Sequence, residues 1–387
     1  MTDLTQILDR LPGLIDEVFP MPARFRPALG RDVAELSRLL TSGREDRGVY
    51  YLGRPALLSA YLRYFLPWNI YRLSRILPSL PLDLKDHDAV NDFGAGPLTL
   101  AASLWICRPE LRDIALEFRC LDRTPSIMEA GKKFFSALGA AFPAEKKSGG
   151  QSPWTIKTIR GELRRNGRLS VEIRGKPAAL CAVLNVYNEL FWDFSPADTD
   201  ALERFTRNHA SLLASLTDSR GSVLVMEPGI PRSAEFISLL RACLMKEGLG
   251  PLAPCTHSSV CPLPGGRLET GSKAKWCHFA FDTENAPKAL HRLSAAAELP
   301  KERAVLSYIF AGRASGETKP EKTRIISDPF PVGKLWGRYG CAGPGLILVR
   351  GNRKDIENLP SGALKELPPG GQKDGKSGAF IADYAKN

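Results

Sequence analysis

Residues 91–99, which read Asn-Asp-Phe-Gly-Ala-Gly-Pro-Leu-Thr, have the composition of a ligand-binding turn between a strand and a helix. Gly94 and Gly96 let the backbone turn sharply and leave no side chain between the main chain and a bound molecule. Thr99 stands where the dinucleotide-binding pattern has its third glycine. The loop therefore fits the nucleoside S-adenosylmethionine better than a pyrophosphate, although Gly-x-Gly alone also suits an ordinary tight turn.

Polar residues are predicted at the ends of the strands that neighbour this loop. Asp122 ends the next strand, where a carboxylate can accept hydrogen bonds from both ribose hydroxyls of a nucleoside, and Asn185 follows a strongly apolar strand. Ligands of open α/β sheets bind beyond the carboxyl ends of the strands, so we expect these residues to share one pocket. The predicted cofactor-binding residues are Asp92, Gly94, Gly96, Asp122, Glu162 and Asn185.

The eight cysteines fall into two groups. Those in apolar strand or helix patterns are interpreted as core residues: Cys107, Cys120, Cys181 and Cys243. The others lie in a segment rich in proline and glycine or beyond it, separated by 5, 15 and 63 residues: Cys255, Cys261, Cys277 and Cys341. Because these four are outside regular core elements, they are the predicted metal ligands.

Four thiolates satisfy either a tetrahedral zinc ion or a cubane iron–sulfur cluster. The wide spacing differs from the paired Cys-x2-Cys arms of zinc ribbons, which favours the cluster. It also differs from the three closely spaced cysteines of radical-generating sites, so we expect a structural metal that holds a loop-rich segment together. His257 and His278 are interpreted as structural neighbours rather than ligands. Four unrelated free cysteines remain the simpler alternative.

Strand and helix patterns alternate from about residue 88 onward. Strands are predicted at residues 89–93, 114–121, 154–159, 178–184 and 222–226. Helices are predicted at residues 97–106, 126–138, 198–216 and 233–246. This alternation indicates βαβ units and a mostly parallel sheet. Short strands are expected later, at residues 276–281, 303–310 and 346–350.

We therefore predict an α/β protein of the class I S-adenosylmethionine-dependent methyltransferase fold, divided into four regions. Residues 1–85 are expected to be helical, and residues 86–250 to form the Rossmann-like, cofactor-binding domain. Residues 251–355 are expected to bind the metal and contain short strands, and residues 356–387 to be a flexible tail.

The chain has 387 residues and a formal net charge of +11, which favours polyanionic partners such as nucleic acid without proving them. Acidic residues near the start argue against secretory and mitochondrial targeting segments, so a cytoplasmic location is expected. No stretch is apolar enough for a membrane span, so no membrane partner is expected. The oligomeric state is not indicated.

Between about residues 50 and 350 the chain resembles a methyltransferase-like family of small ribosomal subunit assembly factors found in bacteria and mitochondria. Its cysteine segment, beside Glu227-Pro228-Gly229, is the most specific part of the resemblance. The other matching motifs are Tyr51-Leu52, Ala60-Tyr61-Leu62, Asp92-Phe93-Gly94-Ala95-Gly96-Pro97 and Val186-Tyr187-Asn188-Glu189-Leu190. The resemblance implies binding of S-adenosylmethionine, a 4Fe-4S cluster on the four cysteines, and contact with 16S-type rRNA of the small subunit.

The sequence departs from the family pattern at one position of the cofactor loop. Leu98 stands where the family usually has glycine, and a leucine there could crowd the methionine portion of the cofactor. The Asn/Asp-Pro-Pro-Tyr/Phe arrangement that holds an exocyclic amine for methylation is missing, so no catalytic base is assigned. Two alternatives to an rRNA methyltransferase therefore stay open: a non-catalytic rRNA-binding assembly factor, and a zinc-containing methyltransferase with a non-ribosomal substrate.

Overall fold

The computed structural model describes residues 4–46, 51–144, 152–195, 198–265, 275–313, 321–367 and 370–384. These residues form an N-terminal group of helices, a large sheet covered by helices, and a smaller second sheet.

The N-terminal helices pack against the large sheet and its helices. Their bounds are α1 (Leu4–Val18), α2 (Leu29–Leu40), α3 (Pro55–Ala60) and α4 (Leu66–Ser74). A π-helical turn at Tyr61–Phe65 joins α3 to α4, so the two form one continuous helical segment. Such π turns are rare and often occur at functional sites. Most side chains of α4 are buried, which makes this segment part of the core.

The large sheet contains the first eight strands. Its elements are β1 (Asp88–Phe93), α5 (Thr99–Cys107), β2 (Leu116–Asp122), α6 (Pro125–Ala141), β3 (Thr155–Arg160), β4 (Ala178–Leu184), α7 (Tyr187–Leu190), α8 (Thr199–Leu216), β5 (Thr217–Pro228), α9 (Pro231–Lys246), β6 (Gly250–Ala253), β7 (Phe279–Asp282), α10 (Lys288–Ala296) and β8 (Arg303–Gly312). The strand order is β3-β2-β1-β4-β5-β8-β6, and β7 also pairs with β8.

Strands β1 to β5 run parallel, and β8 is antiparallel to its neighbours β5, β6 and β7. The predicted α/β class with a mostly parallel sheet is confirmed, and this order, with one antiparallel strand near an edge, is that of a class I methyltransferase. The strand order reverses between β1 and β4, which opens a crevice at their carboxyl ends.

The sequence patterns explain why the central elements form. Every residue of β1 and β4 is buried, as expected for parallel strands covered on both faces by helices. Helix α5 is buried along its whole length, so it lies inside the core rather than on the surface. Helix α8 begins where the Asp198 carboxylate accepts the Ala201 N–H at 2.8 Å, a side-chain cap at the predicted start.

The second sheet is mostly antiparallel. Its elements are β9 (Lys322–Ile325), β10 (Phe330–Val332), β11 (Leu335–Ala342), β12 (Gly345–Gly351), α11 (Arg353–Glu357), β13 (Leu364–Glu366) and β14 (Phe380–Asp383). It has its own small core, formed around Ile325, Ile347 and Val349. Strand β14 pairs in parallel with β12, so the segment expected to be a flexible tail contributes a strand. The lysines and glycines before Phe380 dominate its composition and conceal the short apolar strand.

None of the helices in the described ranges is both long and apolar enough to cross a membrane.

His209 on α8 lies in an aromatic cluster beneath the large sheet. Its ring centroid is 4.2 Å from that of Phe205 and 4.9 Å from that of Tyr187. The side chain is fully buried, and burial lowers the pKa of His209 to about 3. The imidazole is therefore neutral in the folded protein at every pH at which an exposed histidine would titrate.

The His209→Phe variant is expected to resist acid better than the parent. Between pH 6.5 and 3 the unfolded chain binds a proton at His209 that the folded chain does not, so stability falls as the pH falls. Between pH 7.5 and 5.0 the parent should lose about 2 kcal/mol more unfolding free energy than the variant, measured by urea denaturation. The exposed His87, replaced by Asn, is the control; equal losses in parent and His209→Phe would contradict the prediction.

Candidate functional site

A small cavity lies at the carboxyl ends of β1 and β4, in the crevice where the strand order reverses. It has room of about 20 Å³, roughly one water molecule. Its walls are Tyr61, Asn69, Asp92, Gly94, Ala95, Gly96, Thr99, Leu100, Leu184 and Asn185. Four of the six predicted cofactor-binding residues are brought together here, namely Asp92, Gly94, Gly96 and Asn185.

Gly94 is required at its position by both conformation and space. Its φ of 75° lies in the left-handed region, and a Cβ there would sit 2.3 Å from Val186 Cγ2. The N–H groups of Gly94 and Ala95 both donate to the Leu121 carbonyl, at 2.8 and 3.0 Å. The loop after β1 is thereby fixed against both neighbouring strand ends.

Asp122 holds the other side of the same loop. One carboxylate oxygen accepts the Gly96 N–H at 3.0 Å, and the other accepts the Thr124 N–H at 2.8 Å. Burial raises the pKa of Asp122, and these two hydrogen bonds act in the opposite direction. Asp122, which the sequence predicts to bind the nucleoside, thus stabilises the loop in this conformation. Its carboxylate oxygens still have lone pairs that can accept hydrogen bonds from ribose hydroxyls.

Asp92 is buried at the end of β1 with one unsatisfied oxygen. Its Oδ2 has no hydrogen-bond partner, and the residue is 1% exposed. Burial, and secondarily the charge of Asp122, raises the pKa of Asp92 to about 8. At neutral pH the carboxyl is mostly protonated, and a cation beside it would be needed to keep it ionised.

Leu98 does not crowd the cavity. Its backbone is left-handed, with φ 58° and ψ 42°, which explains why glycine is usual at this position. Its side chain is fully buried, and its Cγ lies 2.8 Å from where a Cβ on Gly131 of α6 would be. The leucine packs between α5 and α6, away from the residues that line the cavity.

A buried carboxylate holds the segment after β4, and the sequence did not predict this interaction. Glu227, at the end of β5, accepts the N–H groups of Val186 at 3.1 Å, Tyr187 at 2.8 Å and Asn188 at 3.1 Å. It also accepts the Asn188 side-chain amide at 2.7 Å. Asn185, which precedes this segment and lines the cavity, has a left-handed φ of 56°. The sequence signals for Glu227 were its place at the end of an apolar strand and its membership of the Glu227-Pro228-Gly229 motif.

Glu162 lies apart from the other predicted cofactor-binding residues. It is exposed on the loop after β3 and pairs with Arg164 at 3.6 Å. The residue is not among those that line the cavity.

The four predicted metal ligands come from the segment between β6 and β7 and from the second sheet. Cys255 follows β6, Cys261 lies in the loop, Cys277 precedes β7, and Cys341 is on β11; all are half-buried. Burial raises the pKa of Cys277, and the charges of Cys261, Cys255 and Cys341 raise it further. Burial likewise raises the pKa of Cys341, and the charges of Cys255 and Cys261 add to this effect.

Several polar groups around these cysteines are buried without partners. The atoms are Arg241 Nε, Thr256 Oγ1 and His257 Nδ1. His257 Nε2 lies 3.3 Å from Cys341 Sγ, and the His257 carbonyl accepts Arg241 Nη2 at 2.7 Å. A guanidinium, a hydroxyl and an imidazole thus surround the thiols with potential donors. Within the described ranges, no three His, Cys, Asp or Glu side chains are placed to hold a metal ion.

Residues 200–335 match the family model described as "Mitochondrial small ribosomal subunit Rsm22". This segment is about a third of the chain, and it contains Glu227, Cys255, Cys261 and Cys277 but neither the glycine loop nor Cys341. No curated protein matches the chain. The family description names mitochondria, whereas the cytoplasmic location stays a prediction from the sequence.

The solved structures that match this chain include proteins named as methyltransferases, at low sequence identity and low TM-score. A Listeria monocytogenes protein described as a class I S-adenosylmethionine-dependent methyltransferase has a TM-score of 0.36 and 11% identity, covering 82% of this chain and 88% of its own. A Pyrococcus furiosus methyltransferase scores 0.34 at 9% identity, with coverages of 62% and 82%. The 16S rRNA methyltransferase KamB scores 0.30 at 16% identity, with coverages of 59% and 88%.

The Glu227→Gln variant is expected to loosen the segment after β4. The new amide group would place a donor against backbone N–H donors, leaving buried groups unsatisfied at a cost of about 1–3 kcal/mol. Chemical denaturation should be measured at pH 8, because burial raises the pKa of Glu227 to about 7. Hydrogen exchange at residues 186–188 should accelerate in parallel.

Glu235→Gln is the matched control for this variant. Glu235 forms a partly buried pair with Arg232 at 2.8 Å, whose loss is expected to cost under about 1 kcal/mol. Equal losses for the two variants would show that Glu227 has no special role.

Proposed function

We propose that this protein binds S-adenosylmethionine and acts on the small ribosomal subunit as a methyltransferase-like protein. The observation that carries the proposal is the glycine loop with the unpartnered Asp92 oxygen at the switch point of a class I methyltransferase sheet. The ribosomal part of the proposal is supported by the family match over residues 200–335.

The residues present fit the cofactor in chemistry. Gly94 and Gly96 expose main chain to the cavity, and Asp122 has acceptor capacity for ribose hydroxyls. The orphaned Asp92 oxygen suits the positive charge of the cofactor's amino-acid portion. The cofactor supplies an activated methyl group, and the protein's contribution is to place an acceptor in line with it. Asn185 lines the cavity and directly precedes residues 186–188, which Glu227 binds. The polar residues that begin at Asn185 would orient the acceptor.

A basic hairpin turn supports contact with a polyanion. Arg164, Arg165 and Arg168 are all exposed around the turn at Asn166-Gly167. Arg164 pairs with Glu162 and Arg165 with Asp193, whereas no ion pair of Arg168 occurs among the described residues. Phosphate contacts made by such residues release counterions, so binding to small subunits should weaken steeply with salt.

The cysteine site is proposed to hold a 4Fe-4S cluster. Its four thiols match the ligand number of a cubane, and the charges of Cys261, Cys255 and Cys341 act on Cys277. The unpartnered donors of Arg241, Thr256 and His257 could bond to a negatively charged cluster. The cluster would join the segment after β6 to the second sheet.

Serine variants of Cys255, Cys261, Cys277 and Cys341 are expected to lose iron, because the cluster needs all four thiolates. Anaerobically purified parent protein should show a broad absorption band near ~400 nm and about four irons per chain. Cys243→Ser is the control, since this half-buried thiol lies on α9 outside the site. If the parent contains one zinc ion per chain and lacks the absorption band, the site binds zinc instead of a cluster. If the serine variants keep their iron, the metal is bound elsewhere.

Methyl transfer should be tested with labelled S-adenosylmethionine and small subunits from a strain lacking this protein. The Gly94→Ala variant is expected to lose cofactor binding and transfer, because its Cβ collides with Val186 at a left-handed position. Gly371→Ala, where a Cβ meets nothing within 4 Å, should behave like the parent. Circular dichroism checks that both variants are folded.

The non-catalytic alternative has a structural observation in its favour. The cavity is far smaller than a nucleoside, and Tyr61 lies over the glycine loop, with its hydroxyl 3.8 Å from a Cβ position on Gly96. Salt-dependent binding of the parent to small subunits without any transfer would support an assembly factor. If the parent shows neither binding to small subunits nor methyl transfer, the ribosomal proposal is rejected.

A further inference from the structure

The side chain of Arg241, on α9, is a buried cation beside the cysteine site. The residue is 4% exposed, and its Nε makes no hydrogen bond. Its Nη2 donates to the His257 carbonyl at 2.7 Å, and no ion pair joins Arg241 to a carboxylate among the described residues. Burying a guanidinium without a counter-charge is costly, so its position calls for a negative group nearby.

The charge of Arg241 acts on three of the four predicted metal ligands. Burial raises the pKa of Cys255, and the charge of Arg241 opposes that effect. Burial also raises the pKa of Cys277 and of Cys341, and Arg241 opposes it at both positions. A neighbouring cation favours the thiolate over the neutral thiol, and the thiolate is the form that binds metals. Arg241 therefore favours the metal-binding form of these side chains.

Direct contacts also connect Arg241 to both ends of the site. The His257 carbonyl accepts the guanidinium, and His257 Nε2 lies 3.3 Å from Cys341 Sγ on the second sheet. His257 follows Cys255 by two residues. One side chain on α9 thus holds the backbone beside the first cysteine and the residue whose ring meets the last one.

A second arginine brings positive charge from the second sheet. Arg324 lies on β9, where its backbone pairs with that of Cys341. Its Nε donates to the Pro254 carbonyl at 2.9 Å, and its Nη1 to the Gly362 carbonyl at 2.7 Å. In the part of the chain that the structure describes, Arg324 has no ion pair with a carboxylate either. Pro254 directly precedes Cys255, so both arginines hold the loop that carries this cysteine.

The charges around the thiols are those that an anion requires. Apart from the other cysteines, the charged groups that act on Cys255 and Cys277 are arginines. Four thiolates outweigh the positive charge of a divalent zinc ion, and a cubane with four thiolate ligands is likewise a net anion. Either centre would supply the negative charge that Arg241 lacks.

We propose that Arg241, assisted by Arg324, is the counter-charge of an anionic metal–thiolate centre formed by the four cysteines. This inference rests on the proposed metal site, and it holds for an iron–sulfur cluster and for zinc alike. Arg241 is a positioning residue and not a ligand, since it acts by its charge and through His257. It stabilises the metal-bound protein and costs stability in the metal-free protein, where its charge is buried without a partner.

The rate at which a chelator removes metal from the anaerobically purified, full-length protein tests the inference. Glutamine and lysine at position 241 can both donate to the His257 carbonyl, but only lysine is charged. Arg241→Gln should lose its metal about tenfold faster than the parent, because groups that support metal ligands typically contribute ~10–100-fold in affinity. Arg241→Lys should lie between the two. Arg232→Gln is the matched control on the same helix, since Arg232 pairs with Glu235 at 2.8 Å.

Thermal unfolding with and without metal separates charge compensation from a structural hydrogen bond. Arg241→Met should lower the Tm of the metal-bound protein. In the metal-free protein it should keep or raise the Tm, because an apolar side chain replaces an unpaired buried cation. A residue that only holds the His257 carbonyl would lower the Tm in both states when replaced. Arg241→Gln provides the same comparison if Arg241→Met does not fold.

Iron-containing protein gives a spectroscopic readout as well. Removing a positive charge from beside an iron–sulfur cluster makes the addition of an electron less favourable. The reduction potential of Arg241→Gln, measured by spectroelectrochemical titration, should therefore be more negative than that of the parent. Arg241→Lys should restore most of the difference, and Arg232→Gln should leave the potential unchanged.

The outcomes separate the inference from the proposed metal site. If the parent binds neither iron nor zinc, the proposed site is wrong and the inference falls with it. If the parent binds metal and Arg241→Gln releases it no faster than the parent, the metal site stands and charge compensation is overturned. Equal losses of Tm in the metal-bound and metal-free states make Arg241 a structural residue and also overturn the inference.

Discussion

The hydrogen bonds of the buried Glu227 carboxylate fix the geometry on which the candidate site depends. This side chain binds three consecutive backbone N–H groups after β4 and so joins the ends of β4 and β5. Val186, one of those residues, occupies the space where Gly94 would carry a Cβ. The N–H of Gly94 donates a hydrogen bond to Leu121 near the end of β2. Through Val186, this carboxylate therefore helps to position the loop that forms the cavity.

Much of the large sheet could be predicted from the sequence because its signals are local. The apolar run of β4 and the glycine loop after β1 are each contained within about ten residues, and their periodicity and turn chemistry are sufficient. Leu98 shows the limit of that reasoning. Its replacement of a glycine was visible, but the direction of its side chain, into the packing between α5 and α6, depends on a neighbouring helix.

The features missed in the sequence depend on contacts between distant segments. Glu227 belongs to a motif that was noted in the sequence, but its bonds to residues 186–188, like the bond of Arg72 to Asn69, exist only in the fold. Glu162 illustrates the reverse case, because its residue type and place after a strand end suggested cofactor binding, while its loop lies outside the walls of the cavity; its role stays a prediction. The apolar residues of β14 were concealed by the composition of the segment before them, and only pairing with β12 defines that strand.

The position of β14 has a consequence for the order in which the chain is built. Cys341 lies on β11, which pairs with β9 and β12, and the outer side of β12 is covered only when Phe380–Asp383 has been synthesised. Domains begin to fold from the N-terminus as the ribosome makes them, so the large sheet can form well before this strand exists. Cys255, Cys261 and Cys277 are therefore synthesised about a hundred residues before the strand that completes the second sheet. Any site that joins these three cysteines to Cys341 can be completed only late in synthesis, after β11 has been made.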